Sequence, residues 1–200
     1  MGYSGVFAEK EKMIVDRKSF EKIPAVEIMS TKPEDSRGVA EVFYKTWLAT
    51  YPNEQAGISA EDIEDRFKDA FTEEALTKRS ERIAHPAEGM SFFVAKDGER
   101  VVGVCNVACH PDRNQLQAIY VLPEYQGKGI GALLWEEARK HFDTGKDIVV
   151  QVAEYNKKAI DFYERLGFVA TGKHFTDEHF KMKSGAMIPE TELIIHKKEK

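Results

Sequence analysis

The sequence predicts an α/β chain with an antiparallel front half and strand–helix–strand units behind it. Three observations predict this. The apolar, β-branched and aromatic run Gln117-Ala118-Ile119-Tyr120-Val121-Leu122 reads as a buried strand and passes through a glycine-rich turn into an apolar-periodic helix. Ser91 to Ala95 and Val101 to Ala108 bracket Lys96-Asp97-Gly98-Glu99, the pattern of a hairpin. Asp147 to Ala153, carrying Ile148-Val149-Val150-Gln151-Val152, is followed by a second helical pattern, so strand and helix alternate in this half.

Taken in order, residues 1–24 are charge-rich and without clear period, and are read as an N-terminal extension to one domain over 25–200. Ala25 to Ser30 is a short strand. Thr31 and Glu34 carry a capping-box signature, and Val39, Val42, Phe43, Thr46 and Trp47 follow at helical spacing until Pro52. Ser59 and Asp62 mark a second helix start, with Ile63, Phe67 and Phe71 on one face, and Thr72 opens a third helix that ends near His85-Pro86. After the hairpin, His110 to Asn114 is a turn. The long apolar strand follows, Leu116 to Leu122, and Pro123 stops it because proline has no N–H for the ladder. The next helix, with Ile130, Leu133, Leu134, Ala138 and Phe142 on one face, is expected to end at Thr144-Gly145. Asn156 to Leu166 is a helix closed by Gly167, and Phe168 to Phe175 and Glu190 to His196 are the last strands.

Bulk properties narrow the function. The 200 residues carry 42% hydrophobic and 32% charged side chains, as a globular domain does. A net charge of −5, with no basic run beyond Lys197-Lys198-Glu199-Lys200, argues against nucleic acid as a partner. No apolar run reaches the length of a membrane span and no signal-peptide core opens the chain, so a cytoplasmic location without membrane attachment is expected. Cys105 and Cys109 on one strand face lie too far apart to bond, and with His110 they lack the further ligands of a metal site, so no metal is expected.

The turn Pro123-Glu124-Tyr125-Gln126-Gly127-Lys128-Gly129-Ile130-Gly131 precedes a helix N-terminus. Bare N–H groups at the positive end of a helix bind anions, phosphate above all. A P-loop needs Ser or Thr after Gly-Lys, and Gly129 stands there. A dinucleotide fingerprint is met by Gly127, Gly129 and Ala132, with Asp147 downstream. Against an NAD site, four residues separate the strand from the first glycine, and Asp147 opens the next strand where the ribose carboxylate belongs at its end.

The same stretch resembles the Q/R-x-x-G-x-G/A pyrophosphate loop of the GNAT superfamily of N-acetyltransferases. Asn156-x-x-Ala159-x-x-Phe162-Tyr163-Glu164-x-x-Gly167-Phe168 resembles that family's second coenzyme A motif. The resemblance extends loosely from Ala25 to His196. It implies a mixed, mostly antiparallel seven-stranded sheet with helices on both faces, in which strands Leu116–Leu122 and Ile148–Ala153 run parallel and splay to admit the cofactor, acetyl-CoA. It further implies that backbone of Ile119, Tyr120 and Val121 pairs with the pantetheine arm. The N–H groups of Gln126, Gly127, Lys128, Gly129, Ile130 and Gly131, with Ala132, hold the pyrophosphate on this reading. Asn156 bonds the arm or its loop, Phe162 lines the channel, and Tyr163 stands near the thioester sulfur. A homodimer is an option, as relatives are often dimers.

The reaction implied is direct attack of a primary amine on the thioester. An alkylamine with a pKa around 10 must lose a proton first, the tetrahedral oxyanion needs donors, and the departing thiolate needs a proton that the Tyr163 phenol can give. The base stays open: Gln115 stands where relatives often carry Glu, and Glu154, Tyr51, His110, His85 or a water chain are the alternatives. Trp47 and Tyr51 fall on the acceptor wall that the resemblance implies. The acceptor is expected to be a small, polyamine-like amine, from the acidic balance, or a peptide or protein amine. A non-catalytic acyl-CoA-binding module is the alternative that needs the glycine turn but not Tyr163.

Overall fold

The structure is a computed structural model that describes residues 26–197. The extension at 1–24, Ala25 and residues 198–200 lie outside the described residues. Seven strands form one sheet: β1 (Val26–Ser30), β2 (Met90–Asp97), β3 (Arg100–Cys109), β4 (Asn114–Val121), β5 (Ile148–Ala153), β6 (Val169–Thr176) and β7 (Pro189–Ile195), in the order β1-β2-β3-β4-β5-β7-β6. Every pairing is antiparallel except β4 with β5. The last strand inserts between β5 and β6, so β7 is an interior strand.

Among the described residues there are five α-helices, which pack on the sheet or on one another: α1 (Ser36–Thr50), α2 (Ala60–Phe67), α3 (Glu73–Ala84), α4 (Ile130–Ala138) and α5 (Lys157–Arg165). Successive strand residues point to opposite faces, which identifies the two layers. Tyr120 meets Phe43 of α1, ring centroids 5.2 Å apart, while a Cβ at Gly131 of α4 would lie 3.9 Å from Ile119. Helix α1 therefore lies on one face and α4 on the other. Close approach of α1 needs Gly38, where a Cβ would come within 2.7 Å of Val101. The core between the layers holds Val42, Val102, Val104, Leu134, Trp135 and Phe168, all at most 5% exposed.

Among the boundaries that differ from the sequence expectation, two have a visible cause. The box ahead of α1 falls one residue later than Thr31 and Glu34: the Asp35 carboxylate accepts from Lys32 N–H and opens a single 3₁₀ turn, Pro33–Asp35. Asp35 is held there because its other oxygen meets Lys96 Nζ at 2.6 Å, a buried ion pair joining α1 to β2. Helix α4 ends at Ala138, not near Thr144, and tightens into a 3₁₀ turn over Arg139–His141. The reason is Asn114, fully buried at the start of β4. Its amide donates to the carbonyls of Asp143 (2.8 Å) and Lys146 (3.3 Å), and its Oδ1 accepts from Asp143 N–H (3.1 Å), so this segment is tied down as a loop.

Candidate active site

The site begins with a fault in β4. Asn106 of β3 faces Ala118, yet Val107 faces Leu116, so Gln117 is an extra residue, a β-bulge. A bulge bends its strand. The parallel pairing with β5 covers only Asn114, Gln115 and Leu116, opposite Ile148, Val149 and Val150, and stops where the bulge begins. Beyond it the two strands diverge and leave an opening with unpaired backbone on both sides. Leu122 N–H bonds Val102 C=O, and alternation along β4 then turns the backbone groups of Ile119 and Val121 toward the opening. The backbone of Tyr120 points instead to Val104 of β3, so Tyr120 brings a side chain rather than main chain to this region. That corrects the expectation that all three consecutive residues present backbone to the arm.

The glycine turn closes one end. After a 3₁₀ turn at Pro123–Tyr125, Gln126 is extended and its Nε2 donates to Val121 C=O at 3.0 Å. Gly127 (φ +75°) and Gly129 (φ +81°) hold left-handed conformations that a side chain resists, and Gly129 is the N-cap of α4. A Cβ at either would touch nothing within 4 Å, so their glycine identity answers to backbone shape over an open cradle. The first bond of α4 runs from Leu133 N–H to Gly129 C=O, which leaves the N–H groups of Ile130, Gly131 and Ala132 at the helix mouth. Ile130, 1% exposed, anchors that mouth in the core. At Gly131 a Cβ would press the Phe162 ring at 3.3 Å, so α4 and α5 approach closely there. Outside, Lys128 lies over the Tyr125 ring at 4.8 Å, and Tyr125 donates to Asp97 at 2.8 Å. These residues fit an anionic pyrophosphate: open space, bare amides and a positive helix end converge on one point.

Helix α5 supplies the opposite wall. Asn156 caps it, its Oδ1 accepting from Ala159 N–H at 3.1 Å. One turn on, the Phe162 and Tyr163 rings stand 5.3 Å apart. Tyr163 is 6% exposed, and burial raises its phenol pKa far above the usual range, so it stays protonated. The thiol of Cys105, behind it on β3, is likewise driven up by burial, which disfavours the thiolate.

At the head of the opening stands a tyrosine cluster. The Tyr51 and Tyr120 hydroxyls share a hydrogen bond of 2.9 Å, and Tyr155 donates to Tyr51 C=O at 2.9 Å. Burial comes first in raising all three, with Tyr155 pushed up to about 12. Tyr51 also feels the nearby Tyr163, so the four phenols surround one region. Trp47 packs on Tyr51 at 4.5 Å. The base candidates of the sequence are scattered. Glu154 meets His174 Nδ1 at 2.7 Å on the exposed side, Gln115 is bonded to His110 at 3.2 Å, and His85 lies exposed at the end of α3. Asp147 accepts from Lys197 N–H and sits at the end of β5 opposite the glycine turn, away from any ribose held there. One carboxylate was missed: Glu190 on β7, 7% exposed and opposite Ala153, with its pKa lifted to about 7 by burial and then by Asp177.

A coenzyme A-dependent acyltransferase is the class that this fold and site define. The family model described as Acetyltransferase (GNAT) domain matches residues 47–184, and the chain belongs to the GNAT family of N-acetyltransferases. A probable N-acetyltransferase of Mycobacterium tuberculosis is 30% identical over 169 residues, covering 82% of this chain and 90% of its own. A spermidine N(1)-acetyltransferase of Thermoplasma acidophilum is 28% identical over 148 residues, 72% and 88% of the two chains. Among solved structures, the PaiA N-acetyltransferase of Thermoplasma acidophilum in complex with coenzyme A superposes with a TM-score of 0.63 at 24% identity, covering 83% of this chain and 98% of that one, a likeness of fold. Among the described residues no helix is long and apolar enough to cross a membrane.

Proposed function

We propose that this chain transfers the acetyl group of acetyl-CoA directly to a primary amine. The observation that carries the reading is the β4–β5 opening, with bare helix-end amides at one side and a buried, protonated Tyr163 at the other. In this reading the N–H groups from Gln126 to Ala132 hold the pyrophosphate. Gap-facing backbone of Ile119 and Val121 pairs with the pantetheine arm as an added strand would, while Asn156 and Phe162 bound the channel. The amine attacks the carbonyl, and Tyr163 protonates the departing thiolate. A phenol that burial keeps neutral is a ready proton donor to a thiolate.

The acceptor follows from the cleft of about 810 Å³ between α1, α2, α3 and the segment before β7. Phe43 and Trp47 line it, and they are the residues packed on Tyr120 and Tyr51. Arg66, Arg79 and Arg82 also line it. Lys181 and Lys183 join them, while Asp62, Asp65 and Asp69 stand on the same lining, so the cleft carries both signs with cations in modest excess. A mouth with that modest excess of cations favours an amine that carries a carboxylate nearby over a polyamine. This supports a peptide or protein amine over the polyamine-like amine that the acidic balance suggested.

Calorimetric titration of the full chain with acetyl-CoA, with NAD in parallel, tests the cofactor; micromolar binding of acetyl-CoA alone is expected. Thiol release with an acidic lysine peptide should exceed that with spermidine. Tyr163→Phe should keep acetyl-CoA affinity and lose about 10²-fold in turnover. Binding without turnover for every amine would identify an acyl-CoA-binding module instead.

A further inference from the structure

Among the described residues two fully buried side-chain polar atoms have no hydrogen-bond partner, Trp47 Nε1 and Glu190 Oε2. They belong to one place. Trp47 packs on Tyr51 at 4.5 Å and its indole N–H lies near the Tyr120 hydroxyl without completing a bond to it. Glu190 lies close enough to Tyr51, Tyr120 and Tyr155 for its charge to register in all three phenols. Buried polar groups in folded proteins are partnered with few exceptions, and a catalytic role is one of the reasons for which an exception is kept. Glu192, two residues along the same face of β7, is no such exception, because Lys173 meets it at 2.9 Å.

An ionised carboxylate accepts only, so its missing partner is an N–H or O–H donor. Aromatic rings beside it favour a cation. We infer that Glu190 receives the amino group of the acceptor at the head of the β4–β5 opening and takes its proton before attack. This rests on the acetyl-transfer reading of the same site. The acceptor ammonium gives one proton to the Glu190 carboxylate, and the nitrogen lone pair forms the C–N bond to the thioester carbon. The C–S bond then breaks, the thiolate takes the Tyr163 proton, and the tyrosinate recovers one from the acylated nitrogen. Glu190 returns its proton to water. The products are the amide, the free thiol and one proton, which balances the ammonium and the thioester.

The groups facing Glu190 are Asp177 beyond β6, Tyr51 after α1, Tyr120 of β4 and Tyr155 after β5. The phenols stay neutral through neutral pH, and burial with Asp177 sets the carboxyl near 7. The test is Glu190→Gln in the full chain, with acetyl-CoA and a lysine peptide as substrates. Turnover should fall about 10²-fold or more, with acetyl-CoA affinity retained, and the rise of kcat/KM with pH near 7 should vanish. Glu190→Asp should restore part of the rate and the limb. A second readout is thermal unfolding against pH. The folded-state pKa of Glu190 is raised, so its ionisation lowers stability as pH climbs from the unfolded value through 7. Glu190→Gln should therefore melt above wild type at pH 8. Wild-type turnover and an unchanged pH limb in Glu190→Gln would overturn the inference and leave the acetyl-transfer reading standing. A Glu190→Gln protein that melts below wild type at pH 8 would make the carboxylate structural and overturn it as well. Failure of wild type to bind acetyl-CoA would overturn both.

Discussion

Asn114 and Glu190 show how differently two buried polar side chains are used. Asn114 spends its oxygen and its amide hydrogens on the loop before β5, and so fixes the N-terminal end of the parallel pair. Asn114→Ala removes three hydrogen bonds that tie down a partly exposed loop, each worth about 0.5–1.5 kcal/mol. We expect a loss of about 2 kcal/mol, read as a shift of the urea midpoint, with acetyl-CoA affinity falling because the opening is no longer framed. Tyr163, Gln126 and the glycines stand out in the sequence, since each sits in a spaced motif. Glu190 was illegible. In the sequence Glu190 and Glu192 carry no signal beyond their place in a last strand. They are buried because β7 slides between β5 and β6, and nothing local in the sequence encodes that insertion.

At the level of elements, the strand–turn–helix from β4 to α4 carries most of the site. Its succession was readable because Pro123 and the glycines punctuate it, but the bulge at Gln117 was not. An extra residue in a strand leaves the apolar alternation nearly intact over a few positions, and only pairing exposes it. The consequence is chemical, since two backbone edges of β4 rather than three face the opening. Gly129→Ala tests the turn. Left-handed backbone at a non-glycine residue costs roughly 1–2 kcal/mol, and relief of that strain would swing the Ile130 and Gly131 amides away. Acetyl-CoA should bind about 10-fold more weakly by calorimetry, while the fold, read by circular dichroism, persists. The end of α4 was misplaced for a related reason: Leu133, Ala138 and Phe142 keep helical spacing, yet Phe142 is already extended, held by the Asn114 tie.

The whole molecule is two half-sheets, β1 to β4 and β5-β7-β6, which share a seam of three residue pairs. The class and the succession of strands and helices along the chain were readable from the sequence because their signals alternate cleanly, whereas the place of β7 in the sheet was not. Net charge is a coarse guide: the −5 points to a cationic acceptor, while the cleft itself is lined by arginines, lysines and aspartates together. Averages over a surface say little about one mouth.

So short a seam has a mechanical consequence. A substrate lying in the opening spans both halves and acts as a staple, supplying cross-links that the strands lack. Amides of Ile119 and Val121 should exchange with deuterium quickly in the free protein and slow when acetyl-CoA is present, while those of Val104 and Tyr120, already paired, change little. At a ligand concentration of 100 times Kd, the unfolding free energy should rise by about 2.7 kcal/mol. The two halves would then unfold as one body, and the free enzyme would be the looser, hinged form that substrate converts into a single continuous sheet.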